Sequence, residues 1–306
     1  MSAIFAGLTP ILPERLPSKD MVDAMGSYRP RTLTVLTCDR ALAEWMTGFP
    51  RPLIDLSRLE RFDAYAMGVL VLLGRWTNCV GGKPRFLLPE RVEVARALAS
   101  TGIFHFVTDY WADRPLPEAS GGQGEFVILQ VQREEKIMEL VDFLAQKLRS
   151  RFPFGERANR LIVKGAIELL QNIPQHAGVG LVDRPLLGFC VLEEAVDHLH
   201  LAVVDQGVGL AGSLRANPRF RDLTTAEALE AVLVEGASRF DDPGRGGALR
   251  SIREAVRSNA GKMYVRTGDG AFLQEDVEWS VGRVPHFPGV QISIRLPRYL
   301  FERGEG

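Results

Sequence analysis

The chain has 306 residues, 46% of them apolar and 25% charged, an ordinary composition for a globular protein. Its 37 basic and 38 acidic side chains leave a formal net charge of −1, so no bulk electrostatic attraction favours nucleic acid or an anionic membrane surface. The longest apolar runs, such as Met67 to Leu73, fall far short of the ~20 residues a bilayer span needs. The N-terminus lacks a basic start followed by an apolar stretch and a small-residue cleavage site, so a cytoplasmic protein is expected. Three cysteines, Cys38, Cys79 and Cys190, are far apart and odd in number, which argues against a disulfide framework or a zinc site. The length is generous for one hydrophobic core and natural for two domains.

Residues 1–29 read as a separate segment. Pro10, Pro13 and Pro17 break any early element, and Ser18 can cap a short helix through Met25. From residue 30 to 111 strands alternate with helices, the pattern of an α/β sandwich. Thr32 to Thr37 reads as a strand, Asp39 as the cap of a helix through Met46, and Leu53 to Leu56 as a second strand. Tyr65 to Asn78 is helical in length, Pro84 to Leu88 is a strand, and Glu90 to Ser100 an amphipathic helix.

The series Leu53-Ile54-Asp55-Leu56-Ser57, Phe62-Asp63-Ala64-Tyr65-Ala66-Met67-Gly68, Gly81-Gly82-Lys83 and Ala97 to Phe104 resembles a STAS domain, the fold of anti-anti-sigma factors. In those relatives the turn after the aspartate carries a phosphorylated serine or threonine. Here Asp63 is followed by Ala64-Tyr65-Ala66, with no such hydroxyl, and Tyr65 is read as a packing residue at the helix start. The resemblance therefore implies a docking or intramolecular regulatory module.

Residues 112–124, rich in Pro and Gly, read as a linker to a second domain spanning 125–306. That domain opens with a strand, Phe126 to Val131, and a charged helix, Arg133 to Arg151. A second helix begins near Glu156, and Pro174 should mark its final turn. On it Glu168 and Asn172 are four residues apart, so they stack on one face, while Ile162, Ala166, Leu169, Leu170 and Ile173 supply the buried stripe. A carboxamide oxygen can ligate a hard cation such as Mg²⁺, and a neighbouring carboxylate can orient or deprotonate a water or hydroxyl. Two solvated polar residues at helical spacing would look the same.

Further on, Leu186 to Glu193 and His198 to Val204 read as an antiparallel pair. The second strand runs into Asp205-Gln206-Gly207-Val208-Gly209. Thr224 to Glu235 is a helix with a threonine cap and Glu227 in its first turn. Then come Gly244-Arg245-Gly246-Gly247, a helix from Ala248 to Ser258, and the strands Lys262 to Thr267, Ala271 to Ser280 and Val290 to Leu296, the last preceded by Gly289. Glycines ahead of a helix free its first amides to cradle phosphate oxygens, and Arg245 could add a charge-assisted contact. Gly207 to Gly212 also fits a dinucleotide fingerprint, but Asn217-Pro218 interrupts the following segment and the preceding strand is paired as a hairpin. No Gly-x-x-x-x-Gly-Lys-Ser/Thr occurs.

Taken in order, Glu168/Asn172, Asp205 to Gly209, Gly244 to Leu249 and Gly289 to Pro297 resemble the nucleotide-binding boxes of the GHKL ATPase superfamily, nearest to the anti-sigma-factor serine kinases. The resemblance implies a Bergerat α/β sandwich with a mixed sheet, and a short ATP lid over Gly236 to Gly247. By it Asn172 would ligate Mg²⁺, Glu168 would act on the attacking hydroxyl or water, and Asp205 would accept a hydrogen bond from the adenine amino group. Gly207 and Gly209 would let the backbone approach the base, with Gly244, Arg245, Gly246 and Gly247 at the phosphates. His176 falls where such boxes often carry a histidine, but reads as a helix-end polar contact. The family commonly has Gly-Thr before the last strand, where this chain has Gly289-Val290. ATP and Mg²⁺ are the implied cofactors, and the implied partner is a STAS-domain or sigma-regulatory protein; a homodimer accords with the same resemblance. Three readings stay open: a serine/threonine protein kinase, a slow ATPase switch, and a non-catalytic nucleotide sensor.

Overall fold

The computed structural model describes residues 28–118, 125–131, 134–152, 156–177, 188–239 and 247–302. The short helix expected to start at Ser18 lies outside them. The protein is of mixed α/β type, and among the described residues no helix is long and apolar enough to cross a membrane.

The N-terminal part is built around one helix. Asp63 ends strand β3 (Arg61–Phe62) and caps α2 (Ala64–Cys79), its carboxylate accepting from the Ala66 amide at 2.9 Å. Residues Ala64 to Gly74 are buried all round, which a helix tolerates only when covered on both sides. On one side lie β1 (Thr32–Leu33), parallel to β3, and the three-stranded parallel sheet β2 (Leu53–Asp55), β4 (Arg85–Leu87) and β5 (Trp111–Ala112). Helices α1 (Cys38–Thr47), α3 (Val92–Ser100) and α4 (Ile103–Phe106) complete this part.

Two expectations shift here. The strand from Thr32 stops at Leu33, because the Thr37 hydroxyl takes the Thr34 amide at 3.0 Å and turns the chain into α1. Asp39 therefore lies inside the first turn of α1 rather than capping it. Ala112, placed at the head of the linker, is the second residue of β5.

On its other side α2 meets the C-terminal sheet, an antiparallel array ordered β6 (Glu125–Val131), β7 (Gly188–Glu194), β8 (His198–Asp205), β10 (Glu278–Pro297) and β9 (Lys262–Glu275). The mixed sheet expected from the resemblance is not found. All pairings among its described strands are antiparallel, since β7 and β8 join through the turn at residues 195–197, and β9 and β10 form one long hairpin at Asp276. The three separate strands expected over 262–296 are merged in this hairpin, with register shifts between Arg283 and Val290.

Strand alternation gives the sheet two buried faces. Leu199, Leu201 and Val203 share a core with α5 (Ile137–Arg151), α6 (Glu156–Ala177) and α9 (Ala248–Ser258). Val191, Ala202 and Val204 share another with α1 and α2. A Cβ on Gly68 would sit 3.1 Å from a Val204 methyl, so α2 rests against the sheet at that glycine. Tyr65, read as a packing residue, is fully buried with its ring edge-on to Tyr264 at 5.5 Å. The covered face is rich in polar groups: Glu193, His200, Arg266, Gln291 and Ser293 are all buried.

Candidate functional site

Asp205 is the last residue of β8, and the alternation that turns Leu201 and Val203 toward α6 turns its side chain the same way. Gly188 stands opposite it in β7, and a Cβ there would lie 2.8 Å from two Ile173 carbons. The turn of α6 that carries Asn172 therefore crosses the sheet at the Asp205 end. Glu168 and Asn172 are half-buried on the flank of α6, beside the fully committed Leu169, Leu170 and Ile173. Among the described residues neither makes a hydrogen bond or ion pair. Pro174 sits inside the helix, and the end of the helix expected just beyond it lies outside the described residues.

The surroundings of Asp205 are tightly specified. Its Oδ1 accepts from the Gly207 amide at 2.7 Å and the Val290 amide at 3.3 Å. Burial pushes its carboxyl up to about 7, with those two amides acting in the opposite direction. Gly289 has φ of +84°, and a Cβ on it would fall 2.0 Å from the Asp205 carbonyl oxygen, so only glycine fits.

Gly209, at the start of α7 (Gly209–Leu214), also has positive φ, and a Cβ there would meet the Thr267 hydroxyl at 2.6 Å. That hydroxyl donates to the Gly289 carbonyl at 2.9 Å and accepts from the Leu210 amide at 3.0 Å. One side chain of β9 thus ties the turn after β8 to the turn before the end strand segment of β10. Thr267, a residue with no distinguishing mark in the sequence, joins Leu210 to Gly289.

The segment expected to form the lid lies between two left-handed glycines. Gly236 ends a π-helical turn, Ala231–Glu235, that extends α8 (Thr225–Glu230), and Gly247 precedes α9. A Cβ on Gly236 would lie 3.5 Å from the Gly247 Cα, so the two ends of the segment meet. The Thr224–Glu227 capping box forms as expected. Helix α9 has no side-chain cap on its N-terminus, leaving its first amides to other acceptors. Arg253 instead donates to the Leu233 carbonyl at 2.8 Å, fastening α9 to the π turn. Gly244, Arg245 and Gly246 lie outside the described residues, as does the His176 side chain.

Of the candidate residues, then, Glu168, Asn172, Asp205, Gly207 and Gly209 come to one end of one sheet face, and Leu249 and Ile252 of α9 pack into the same core. Among the described residues no group of three or more His, Cys, Asp or Glu could hold a metal ion. A shallow depression lined by Val127, Leu148, Phe152 and Leu192 contains none of the candidates. Compared with known proteins, the chain matches no protein-family model and no curated protein.

Proposed function

We propose that this protein binds Mg·ATP through a GHKL-type site and transfers phosphate to a hydroxyl of a partner protein, with a STAS-like N-terminal unit acting as its built-in regulatory module. The observation that carries the reading is Asp205: a buried carboxylate at a strand end, held by two amides, with Gly289 packed on its carbonyl where no side chain fits. Its sheet face is the one that packs against α6, the helix that carries Glu168 and Asn172.

In this reading Asp205 Oδ2 accepts a hydrogen bond from the adenine amino group, a donor guanine lacks. The Asn172 amide oxygen would hold Mg²⁺, whose charge neutralises the polyphosphate. The first amides of α9, which follow Gly247, would be available to phosphate oxygens. Glu168 would orient the attacking hydroxyl and take its proton. The turn Asp63 to Ala66 supports an intramolecular role for the STAS-like unit. Arg295 pairs with Asp63, Glu193 Oε2 accepts from the Ala64 amide at 2.8 Å, and Tyr65 is sealed against the sheet. A turn buried in this way is a docked surface, not a phosphoacceptor.

Calorimetric titration with a non-hydrolysable ATP analogue and Mg²⁺ tests the reading. The native protein should bind, and Asp205→Asn should weaken binding by at least about tenfold, the loss of a charged acceptor in a buried pair. Native protein that takes up no nucleotide would refute it. Where binding holds, transfer of labelled phosphate to STAS-domain candidates, lost in Glu168→Ala, separates a kinase from a sensor.

A further inference from the structure

The buried polar residues on the N-terminal face of the sheet form a continuous chain that ends at Asp205. Asp39 of α1 lies with Oδ1 2.7 Å from Arg266 Nε, and its other oxygen accepts from the Tyr264 hydroxyl. The Arg266 side chain is fully buried, with Phe287 beneath it at 5.3 Å. Its Nη1 donates to Gln291 Oε1 at 3.2 Å and its Nη2 to the Pro285 carbonyl. Gln291, also fully buried, donates through Nε2 to the Asp205 carbonyl at 3.0 Å and to the Pro288 carbonyl at 2.8 Å.

The links through Gln291 are directional hydrogen bonds, whereas Asp39 and Arg266 meet as a close ion pair. A guanidinium only donates, so the Gln291 carboxamide must turn its oxygen to Arg266, and its amino group is then fixed on the Asp205 and Pro288 carbonyls. Arginine cannot shed its charge, and Asp39 is the carboxylate paired with it. Asp39 belongs to the N-terminal unit; every other member belongs to the sheet.

We propose that Asp39 is a positioning residue of the nucleotide site, acting through Arg266 and Gln291 on the turn that holds Asp205, so that the N-terminal unit must be docked for the site to be formed. The proposal rests on the nucleotide-binding reading for its ligand, but the chain itself is testable without one. With the unit displaced, the buried guanidinium has lost its carboxylate, Gln291 is free to turn, and the Asp205–Gly209 turn loosens.

The test compares Asp39→Asn and Gln291→Met with Arg295→Met, which breaks the Asp63 pair in the same interface but lies outside the chain. Amide hydrogen exchange at Gly207 and Val290, the two donors to Asp205, is read alongside affinity for a Mg-bound non-hydrolysable ATP analogue. Asp39→Asn and Gln291→Met should each speed exchange at both amides and weaken the analogue by about tenfold, a common size for coupling between sites. The double variant should be no worse than the more severe single one. Arg295→Met should leave both readouts within about twofold, whatever it does to the denaturation midpoint. Should Asp39→Asn fail to fold, Asp39→Glu, which keeps the charge one methylene out of place, must show the same pattern. Exchange that responds equally to Arg295→Met, or not at all to the Asp39 and Gln291 variants, overturns the proposal. Faster exchange in the Asp39 and Gln291 variants, with a native protein that binds no nucleotide, would keep the chain and discard the ligand.

Discussion

The two faces of the C-terminal sheet are buried by different chemistry. Toward α5, α6 and α9 the contacts are almost wholly aliphatic, with Asp205 and Thr267 gathered at one end. Toward the N-terminal unit the apolar residues Phe189, Val191, Ala202 and Val204 are interleaved with Glu193, His200, Arg266, Gln291 and Arg295. An aliphatic face accepts any apolar cover of the right shape. A face with an arginine, a histidine and a glutamate on it accepts only a cover that brings their partners: Asp39 for Arg266, Asp63 for Arg295, and the Ala64 amide for Glu193. The first face is thus built for stability and a site, the second for one specific neighbour.

The comparison is broken most severely by taking the neighbour away. Residues 125–306 expressed alone would expose both the apolar half of that face and an unpaired Arg266. They should fail to unfold cooperatively in urea, whereas a sharp transition would mean that the covered face is dispensable.

Next in size is Asp39→Ala, which strands a buried guanidinium and should cost roughly 3–5 kcal/mol in urea denaturation. Replacing the pair together, Asp39→Leu with Arg266→Met, should recover most of that loss. Thr267→Val, on the opposite face, leaves the Leu210 amide without its acceptor. It should cost about 1–3 kcal/mol and leave docking of the N-terminal unit unchanged.

A pH dependence of opposite sign is expected at Asp205 and at His200, one on each face. Burial raises the Asp205 carboxyl to about 7 from 3.8, so its contribution to stability is complete below the lower value and is lost as pH rises through the upper one. Burial lowers the His200 imidazole to about 3 from 6.5, so its contribution is complete above 6.5 and is lost as pH falls toward 3. In the native protein the two slopes oppose each other between about pH 4 and 6.5. Asp205→Asn should leave stability rising with pH in that window, and His200→Gln should leave it falling, each by at most about 1.4 kcal/mol per pH unit. Glu193, on the same face as His200 but raised by burial, adds to the falling slope of Asp205.

The aliphatic face was largely readable in the sequence. The stripe from Ile162 to Ile173 has helical period, the helix expected from Ala248 to Ser258 forms with those bounds, and Thr224 with Glu227 announces the capping box of α8. The covered face was not. Arg266, Gln291, Ser293 and Arg295 alternate along their strands as solvent-facing polar residues would, and nothing local distinguishes a buried arginine from an exposed one. Asp39 reads as a helix cap because capping is the local use of an aspartate there, and its real partner is more than two hundred residues away. Nor does any local pattern show that α2 packs between a small parallel sheet and a large antiparallel one. Of the candidate site, the residues set by local geometry were legible, including Asp205 at its strand end and the glycines around it. Thr267 and Gln291, which act across strands, were not.

The most direct test of the central claim follows the Gly207 and Val290 amide resonances by ¹⁵N–¹H spectroscopy while the full-length native protein is titrated with a Mg-bound non-hydrolysable ATP analogue. Both amides donate to Asp205. A nucleotide seated at that carboxylate predicts saturable shifts of both, absent with the corresponding GTP analogue and lost in Asp205→Asn. Shifts that bypass both amides, or that appear equally with the guanine nucleotide, would contradict the placement of adenine at Asp205.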